Sequence, residues 1–284
     1  MTPSVGVVGL GALGEPIAGL LLKAGFATSV FDVRREPVER LAKLGGRPCA
    51  SAAEVARHSD VIVSLVLDQA QTMDVVRGKS GLLGELRRDA ILAIGSTLGP
   101  EPVRSIAEQL ESRHAHVLDI PISGGIVAAR EGALSVMAGG EDAVIERALP
   151  VLKVFAREIT RTGGVGSGQT AKLAHQLVFC VNVMALLEGL ALGAAGGLEP
   201  AVLKEVLRKG LANSAVLGAW PDLGPRWKGM LAPSAPGAPL PNMRKDLHLV
   251  LQMAEALGVP LHIASQASRT ADSGQATGLY SPDA

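Results

Sequence analysis

Along the first half of the chain, short β-branched apolar runs alternate with stretches whose apolar residues recur at helical spacing. Residues 4–10 read as a strand, 15–24 as a helix, 28–33 as a second strand and 35–44 as a second helix. Residues 60–67 form a nearly continuous apolar run of strand length. A helical stretch follows, then a strand at 90–94, a helix at 101–112 and a strand at 116–120. Continuous apolar strands separated by helices predict a parallel sheet covered on both faces.

After Gly163 the pattern changes. Residues 167–195 lack Pro and read as one helix, which at 1.5 Å per residue is roughly 40 Å long. Further helices are expected at 199–209, 243–257 and 261–270, whereas the Pro-rich piece 232–241 reads as an irregular loop. The expected organisation is an α/β domain over 1–163, then an all-helical substrate and dimerisation domain over 164–284. The tail after Ser273 is polar and contains Gly, and reads as loosely ordered.

Composition narrows the picture. Hydrophobic residues make up 48% and aromatics only 2%, so the core must be aliphatic and Ala-rich. Lys+Arg and Asp+Glu both number 27 and are interspersed, which gives no electrostatic case for nucleic acid or an anionic membrane. Cys49 and Cys180 are too few and too far apart for a disulfide framework or a metal cluster; buried thiols in a reducing cytoplasm are the expectation. The N-terminal apolar stretch is broken by glycines and Glu15 and does not read as a signal peptide, and Glu188 interrupts the apolar segment 177–198, which argues against a membrane span. The helix expected at 167–195 is too hydrophobic to be covered by few partners, so a homodimer or homotetramer packed through helical domains is expected.

The chemistry begins at Gly9-Leu10-Gly11-Ala12-Leu13-Gly14, directly after the first strand and opening the first helix. In this context a Gly-x-Gly-x-x-Gly turn is a Rossmann-type dinucleotide signature. The first glycine permits the tight turn, the second lets a pyrophosphate approach the backbone, and the third allows close helix–strand packing. The phosphates would sit at the helix N-terminus, where unpaired N–H groups point outward. Asp32 ends the second strand, where a carboxylate accepts hydrogen bonds from the adenosine ribose hydroxyls, and Val33 and Arg34 continue that edge. Asp32 would repel a 2′-phosphate and so favours NAD over NADP. Arg34 and Arg35 complicate this, being equally suited to binding a 2′-phosphate, covering the adenine or lying in solvent.

Three further segments resemble the β-hydroxyacid dehydrogenase family, which includes 3-hydroxyisobutyrate dehydrogenases and tartronate semialdehyde reductases and is related to 6-phosphogluconate dehydrogenase. Asp119-Ile120-Pro121-Ile122-Ser123-Gly124-Gly125 resembles its substrate-binding stretch. Residues 163–172, ending in Lys172, resemble its catalytic glycine–lysine motif, and Lys245-Asp246-Leu247 matches a stretch in its C-terminal domain. The resemblance implies hydride transfer between the cofactor and carbon 3 of a short 3-hydroxy acid. Lys172 would be the general acid/base, a task a lysine suits if burial lowers its pKa. Ser123, with the N–H groups of Gly124 and Gly125, would hold the substrate carboxylate. The resemblance also places Leu65, Val66, Leu67, Thr97 and Lys245 against the cofactor, and His175 and Gln176 against the substrate.

The chain departs from the family at several positions. Ile94 stands where an Asp usually precedes the Ser-Thr pair, and Asp68 where a Pro usually follows the cofactor loop. His175-Gln176 replaces an Asn-Asn or Asn-Gln pair. A His there is a feature of 6-phosphogluconate dehydrogenases, but Phe179 stands where those carry Glu, which argues against a sugar phosphate. Two other readings remain open: an imine reductase, against which Lys172 counts, and a cofactor-binding module without catalysis, against which Lys172, Ser123 and Gly124 count together. Asn213, Trp220 and Trp227 either line the substrate pocket or pack in the core.

Overall fold

The structure is a computed structural model and describes residues 2–219 and 239–272. Trp220, Trp227, the Pro-rich piece up to residue 238 and the tail from Ser273 lie outside the described residues. The chain separates into two compact units after Lys172.

The first unit alternates strands and helices as β1 (Val5–Val8), α1 (Gly14–Lys23), β2 (Thr28–Phe31), α2 (Arg35–Ala42), β3 (Arg47–Pro48), α3 (Ala52–Arg57), β4 (Val61–Ser64), α4 (Gln69–Arg77), β5 (Ile91–Ile94), α5 (Pro100–Glu111) and β6 (His116–Asp119). The short strand β7 (Ile122–Ser123) follows, then α6 (Gly125–Glu131), β8 (Leu134–Gly139), α7 (Asp142–Leu152) and β9 (Ala156–Gly163). Strand order is β3-β2-β1-β4-β5-β6-β8-β7, with β9 on β8. The β1–β6 portion is parallel throughout, pairing Val5 with Thr28 and Val61, and Val61 with Ile91. Past β6 the sheet is mixed: β8 runs antiparallel to β6 and to β7, and β9 runs parallel to β8.

All four residues of β1, β4 and β5 are buried, and the pleat explains how. Successive side chains leave a strand on opposite faces. Val61 and Val63 of β4 and Ile91 and Ala93 of β5 therefore join a cluster with Ile17 and Leu21 of α1 and Val144, Ala148 and Leu152 of α7. Ile62, Leu92 and Ile94 face the other way, against Val55 of α3, Val76 of α4 and Val103, Ile106 and Leu110 of α5. Helices on both faces are what turned the strand signals into unbroken apolar runs.

The long helix α8 (Ser167–Ala195) begins in the first unit and continues into the second. The compact units thus part inside α8. The reason is that the first turns of α8 are hydrogen-bonded to the sheet. In the second unit, Cys180, Val183, Met184, Leu187 and Leu190 of α8 pack with Val216 and Leu217 of α10 (Ala215–Gly218). Met243 and Leu247 of α11 (Pro239–Leu257) and Ala267 and Ala271 of α12 (His262–Asp272) complete that core. The helix α9 (Pro200–Lys209) buries no residue fully. By length and composition α8 would pass for a membrane span; part of its apolar surface builds this helical core, and Glu188 is exposed. One expectation is corrected: Pro239 and Pro241 lie in the first turn of α11 and not in a loop. The missing prolyl N–H is tolerated there because first-turn N–H groups have no intrahelical partner.

Candidate active site

The turn from β1 to α1 is shaped by its glycines. Gly9 has φ +89°, and a Cβ on Gly14 would stand 1.8 Å from the Gly9 carbonyl oxygen, so helix and turn are closer than any side chain allows. A Cβ on Gly11 would meet nothing within 4 Å, Ala12 is exposed, and no side chain caps α1 at Leu13. An uncapped helix N-terminus beside open glycine backbone fits a dinucleotide pyrophosphate.

Asp32 lies under this turn. Its Oδ2 accepts the Leu10 N–H at 2.7 Å, and its Oδ1 accepts the Arg34 N–H at 2.9 Å. The Arg34 guanidinium covers both oxygens, with Nε 3.0 Å from Oδ1 and Nη2 3.2 Å from Oδ2, and also donates to the Leu10 carbonyl. Arg34 is thus ion-paired to Asp32, with its own side chain 57% exposed. Burial alone would raise the Asp32 carboxyl, but the Arg34 and Leu10 hydrogen bonds outweigh it and hold the pKa below the ordinary value. Val33 beside them is 90% exposed.

The loop after β4 comes next. A Cβ on Gly9 would lie 2.9 Å from the Leu65 carbonyl, and Ser96 Oγ donates to the Val66 carbonyl at 2.6 Å. Leu65 and Val66 thus adjoin both the glycine turn and the loop that carries Thr97, and Leu67 beside them is exposed. Asp68, which departs from the family, caps α4 by accepting the Gln71 N–H at 2.9 Å. Ile94, the other departure here, is wholly buried in the helix-covered face.

At the end of β6 the fully buried Asp119 accepts the N–H groups of Gly166 at 2.9 Å and Gln169 at 2.8 Å. A Cβ on Gly168 would stand 2.8 Å from Oδ2 of the same carboxylate, so glycine is what lets the α8 N-terminus seat on Asp119. Burial raises the Asp119 carboxyl above its usual value, and the N–H groups around it offset that only in part. Anchored this way, α8 directs Lys172 to Ile122, where the buried Nζ donates to the carbonyl at 2.8 Å. Ser123 is the next residue. Gly124 has φ +123°, and its Cβ would come within 2.8 Å of Ala128; Gly125 has φ +70°. The structure therefore brings Lys172 to the Ser123–Gly124–Gly125 turn. Asp119, Gln169 and Ser96 were missed as site-builders. Asp119 and Gln169 lie inside the family-like segments and Ser96 beside Thr97, but nothing local marked any of them as a site-builder.

In the second unit, the Gln176 side chain donates to Asp246 Oδ2, and His175 Nδ1 lies 3.1 Å from Gln176 Oε1. Lys245 Nζ is 2.9 Å from the other Asp246 oxygen, close enough for an ion pair though not aligned as a hydrogen bond. His175 stacks on Phe179 with ring centroids 6.4 Å apart. Asn213 is exposed.

Fold and glycine turn together define a Rossmann-type dinucleotide-binding oxidoreductase with a helical second unit. Residues 4–164 match the family model for the NAD-binding domain of 6-phosphogluconate dehydrogenase. Residues 166–284 match the NAD-binding model of NADP-dependent 3-hydroxyisobutyrate dehydrogenase. The chain is 33% identical to 2-hydroxy-3-oxopropionate reductase of Escherichia coli, over 90% of this chain and 86% of that protein. It is 34% identical to 3-hydroxyisobutyrate dehydrogenase of Pseudomonas aeruginosa, over 89% and 86%. Among solved structures, 3-hydroxyisobutyrate dehydrogenase from Salmonella typhimurium superposes with TM-score 0.85 at 31% identity, covering 99% of this chain and 97% of that one. The chain belongs to the β-hydroxyacid dehydrogenase family and is an NAD(P)-dependent oxidoreductase acting on a CH–OH group.

Proposed function

We propose that this enzyme interconverts a small 3-hydroxy acid and its semialdehyde or 3-oxo acid. A bound nicotinamide would supply the hydride acceptor or donor for carbon 3. Lys172 takes the hydroxyl proton during oxidation and gives it back during reduction. Ser123 and the N–H groups of Gly124 and Gly125 hold the substrate carboxylate, which fixes carbon 3 near the lysine. One observation carries this reading: the buried Lys172 Nζ is bonded to Ile122, the residue immediately before that turn. His175 and Gln176 follow Lys172 by three and four residues on α8, which supports a place for them on the substrate side. Lys245 is assigned to the cofactor on the family resemblance.

Asp32 favours NAD over NADP, since its carboxylate suits a ribose diol and opposes a 2′-phosphate; the Arg34 ion pair softens that preference without cancelling it. Val178, Leu192, Val202, Val206 and Ile263 are exposed on the second unit, which supports association of two or four copies in the cytoplasm. A monomer mass by light scattering at micromolar concentration rules that association out.

The test of the reaction is a spectrophotometric panel of 3-hydroxyisobutyrate, glycerate, serine, threonate and 3-hydroxypropionate with NAD and with NADP. Oxidation of at least one acid is expected, faster with NAD. Reduction of a cyclic imine with no turnover of any hydroxy acid or semialdehyde would replace this reading with the imine reductase one.

A further inference from the structure

We propose that Gln169 is a positioning residue that locks the cofactor side of the site to the proton side. The proposal rests on the reading above, in which Thr97 faces the nicotinamide ribose and Lys172 moves the proton.

Gln169 is wholly buried, and its side-chain amide is used at both ends. Nε2 donates to the Ser96 carbonyl at 2.9 Å, and Oε1 accepts the Leu98 N–H at 2.9 Å. These are the two peptide groups that bracket Thr97. A side chain here does what a neighbouring strand would do, pinning the backbone on either side of one residue. The same Ser96 holds the cofactor-side loop through Val66. The Gln169 N–H is itself anchored on Asp119. Lys172 follows three residues later on the same helix face, a rise of ~4.5 Å. One unbroken series of hydrogen bonds thus runs from the Val66 carbonyl through Ser96 and Gln169 to the helical turn that carries Lys172.

The amide is specifically required, because the buried position needs one donor and one acceptor at once. Glutamine supplies both permanently, but glutamic acid supplies both only while protonated. Once ionised, the side chain introduced by Gln169→Glu would set a carboxylate against the Ser96 carbonyl, two acceptors facing each other. Burial and that carbonyl both favour the protonated form.

The experiment compares wild type, Gln169→Glu and Gln169→Leu in two readouts across a pH series: kcat/KM with the best hydroxy acid, and calorimetric binding of NAD alone. Taking each variant as a ratio to wild type removes the titration of the lysine itself. The Gln169→Glu ratio is expected near unity at the acid end and to fall by at least about tenfold at the alkaline end, in both turnover and NAD binding. Gln169→Leu should be impaired by a similar factor at every pH, with no slope. The acid–alkaline comparison is made within one folded variant, so it does not depend on Gln169→Leu being stable. A flat Gln169→Glu ratio, accompanied by nothing more than a lower Tm, overturns the proposal and leaves Gln169 a structural residue. Wild-type turnover and NAD binding in Gln169→Leu overturn it as well. Failure of wild type to bind NAD or NADP at all is a distinct result, and it removes the reading of the site on which the proposal stands.

Discussion

Asp32 and Asp119 end or directly follow two parallel strands of the same sheet, β2 and β6, yet their surroundings differ in kind. Asp32 is covered in part by a side chain, the Arg34 guanidinium, which is itself 57% exposed. Asp119 is covered by backbone N–H groups of the first turn of α8. A side chain on the surface can turn aside for a ligand at the cost of a surface ion pair, about 0–1 kcal/mol. Helix backbone cannot leave without unwinding. The first arrangement makes a carboxylate available for recognition, and the second makes one a fixed joint. The same residue type at the same kind of strand end therefore meets a movable guanidinium in one place and fixed helix backbone in the other.

The largest expected effect tests the joint. Asp119→Ala leaves the N–H groups of Gly166 and Gln169 buried without their acceptor, at roughly 1–3 kcal/mol each, or about 2–6 kcal/mol together. Denaturant unfolding should show that loss, and turnover should fall with it, because α8 loses the seat that aims Lys172. If Asp119→Ala unfolds at the wild-type midpoint, the joint is not one. Lys172→Ala comes next. It should lower kcat by at least about 100-fold, the low end for general acid–base catalysis, while NAD binding stays near wild type. Turnover surviving within a few-fold would pass the proton to another group, with His175 first in line.

The recognition end should respond more mildly and with a direction. Asp32→Ala removes charge-assisted hydrogen bonds to the ribose worth roughly 1.5–3 kcal/mol, which weakens NAD about 10- to 150-fold. It also removes the negative charge facing a 2′-phosphate and releases Arg34, so NADP should gain and the preference shift toward it. Arg34→Ala should do the reverse and sharpen the preference for NAD. Calorimetric titration of both dinucleotides into both variants checks this; an unchanged ratio in each would mean that the Asp32–Arg34 pair does not face the ribose.

How much of this was legible in the sequence follows the same division. The glycine turn, Asp32 and the unbroken apolar strands β1, β4 and β5 carry their signals locally, in spacing and periodicity. Lys172 and Ser123 were legible through family-like segments. What did not show was everything defined by a distant partner. Gln169 reads as an ordinary polar helix residue until Ser96 and Leu98, more than 70 positions earlier, are folded against it. The β7–β9 portion was passed over because β9 alternates few buried residues with many exposed ones and β7 is only two residues long. Neither looks like the buried strands before it. The α11 start was misread for the opposite reason, a strong local signal from Pro239 and Pro241 that first-turn geometry makes harmless.

The smallest effect is a pair of opposite slopes in stability against pH. In the folded state Asp32 titrates below its ordinary value of 3.8, so the unfolded chain binds its proton first as pH falls. Its stabilising contribution is complete above that value and is lost as pH drops through the folded pKa. Asp119 is shifted the other way, above 3.8. Between its unfolded and folded pKa values it is the folded state that holds the extra proton, so stability falls as pH rises across that window. Asp32→Asn should therefore narrow its gap to wild type only at pH below about 4, by no more than about 1 kcal/mol given the exposure of Arg34. Asp119→Asn, whatever it costs outright, should remove a decline that wild type shows above about pH 4. Tm measured through that range for the three proteins reads both slopes at once. Slopes of the same sign in the two variants would mean that Asp119, like Asp32, is held ionised by its partners, and that the N–H groups of α8 outweigh its burial.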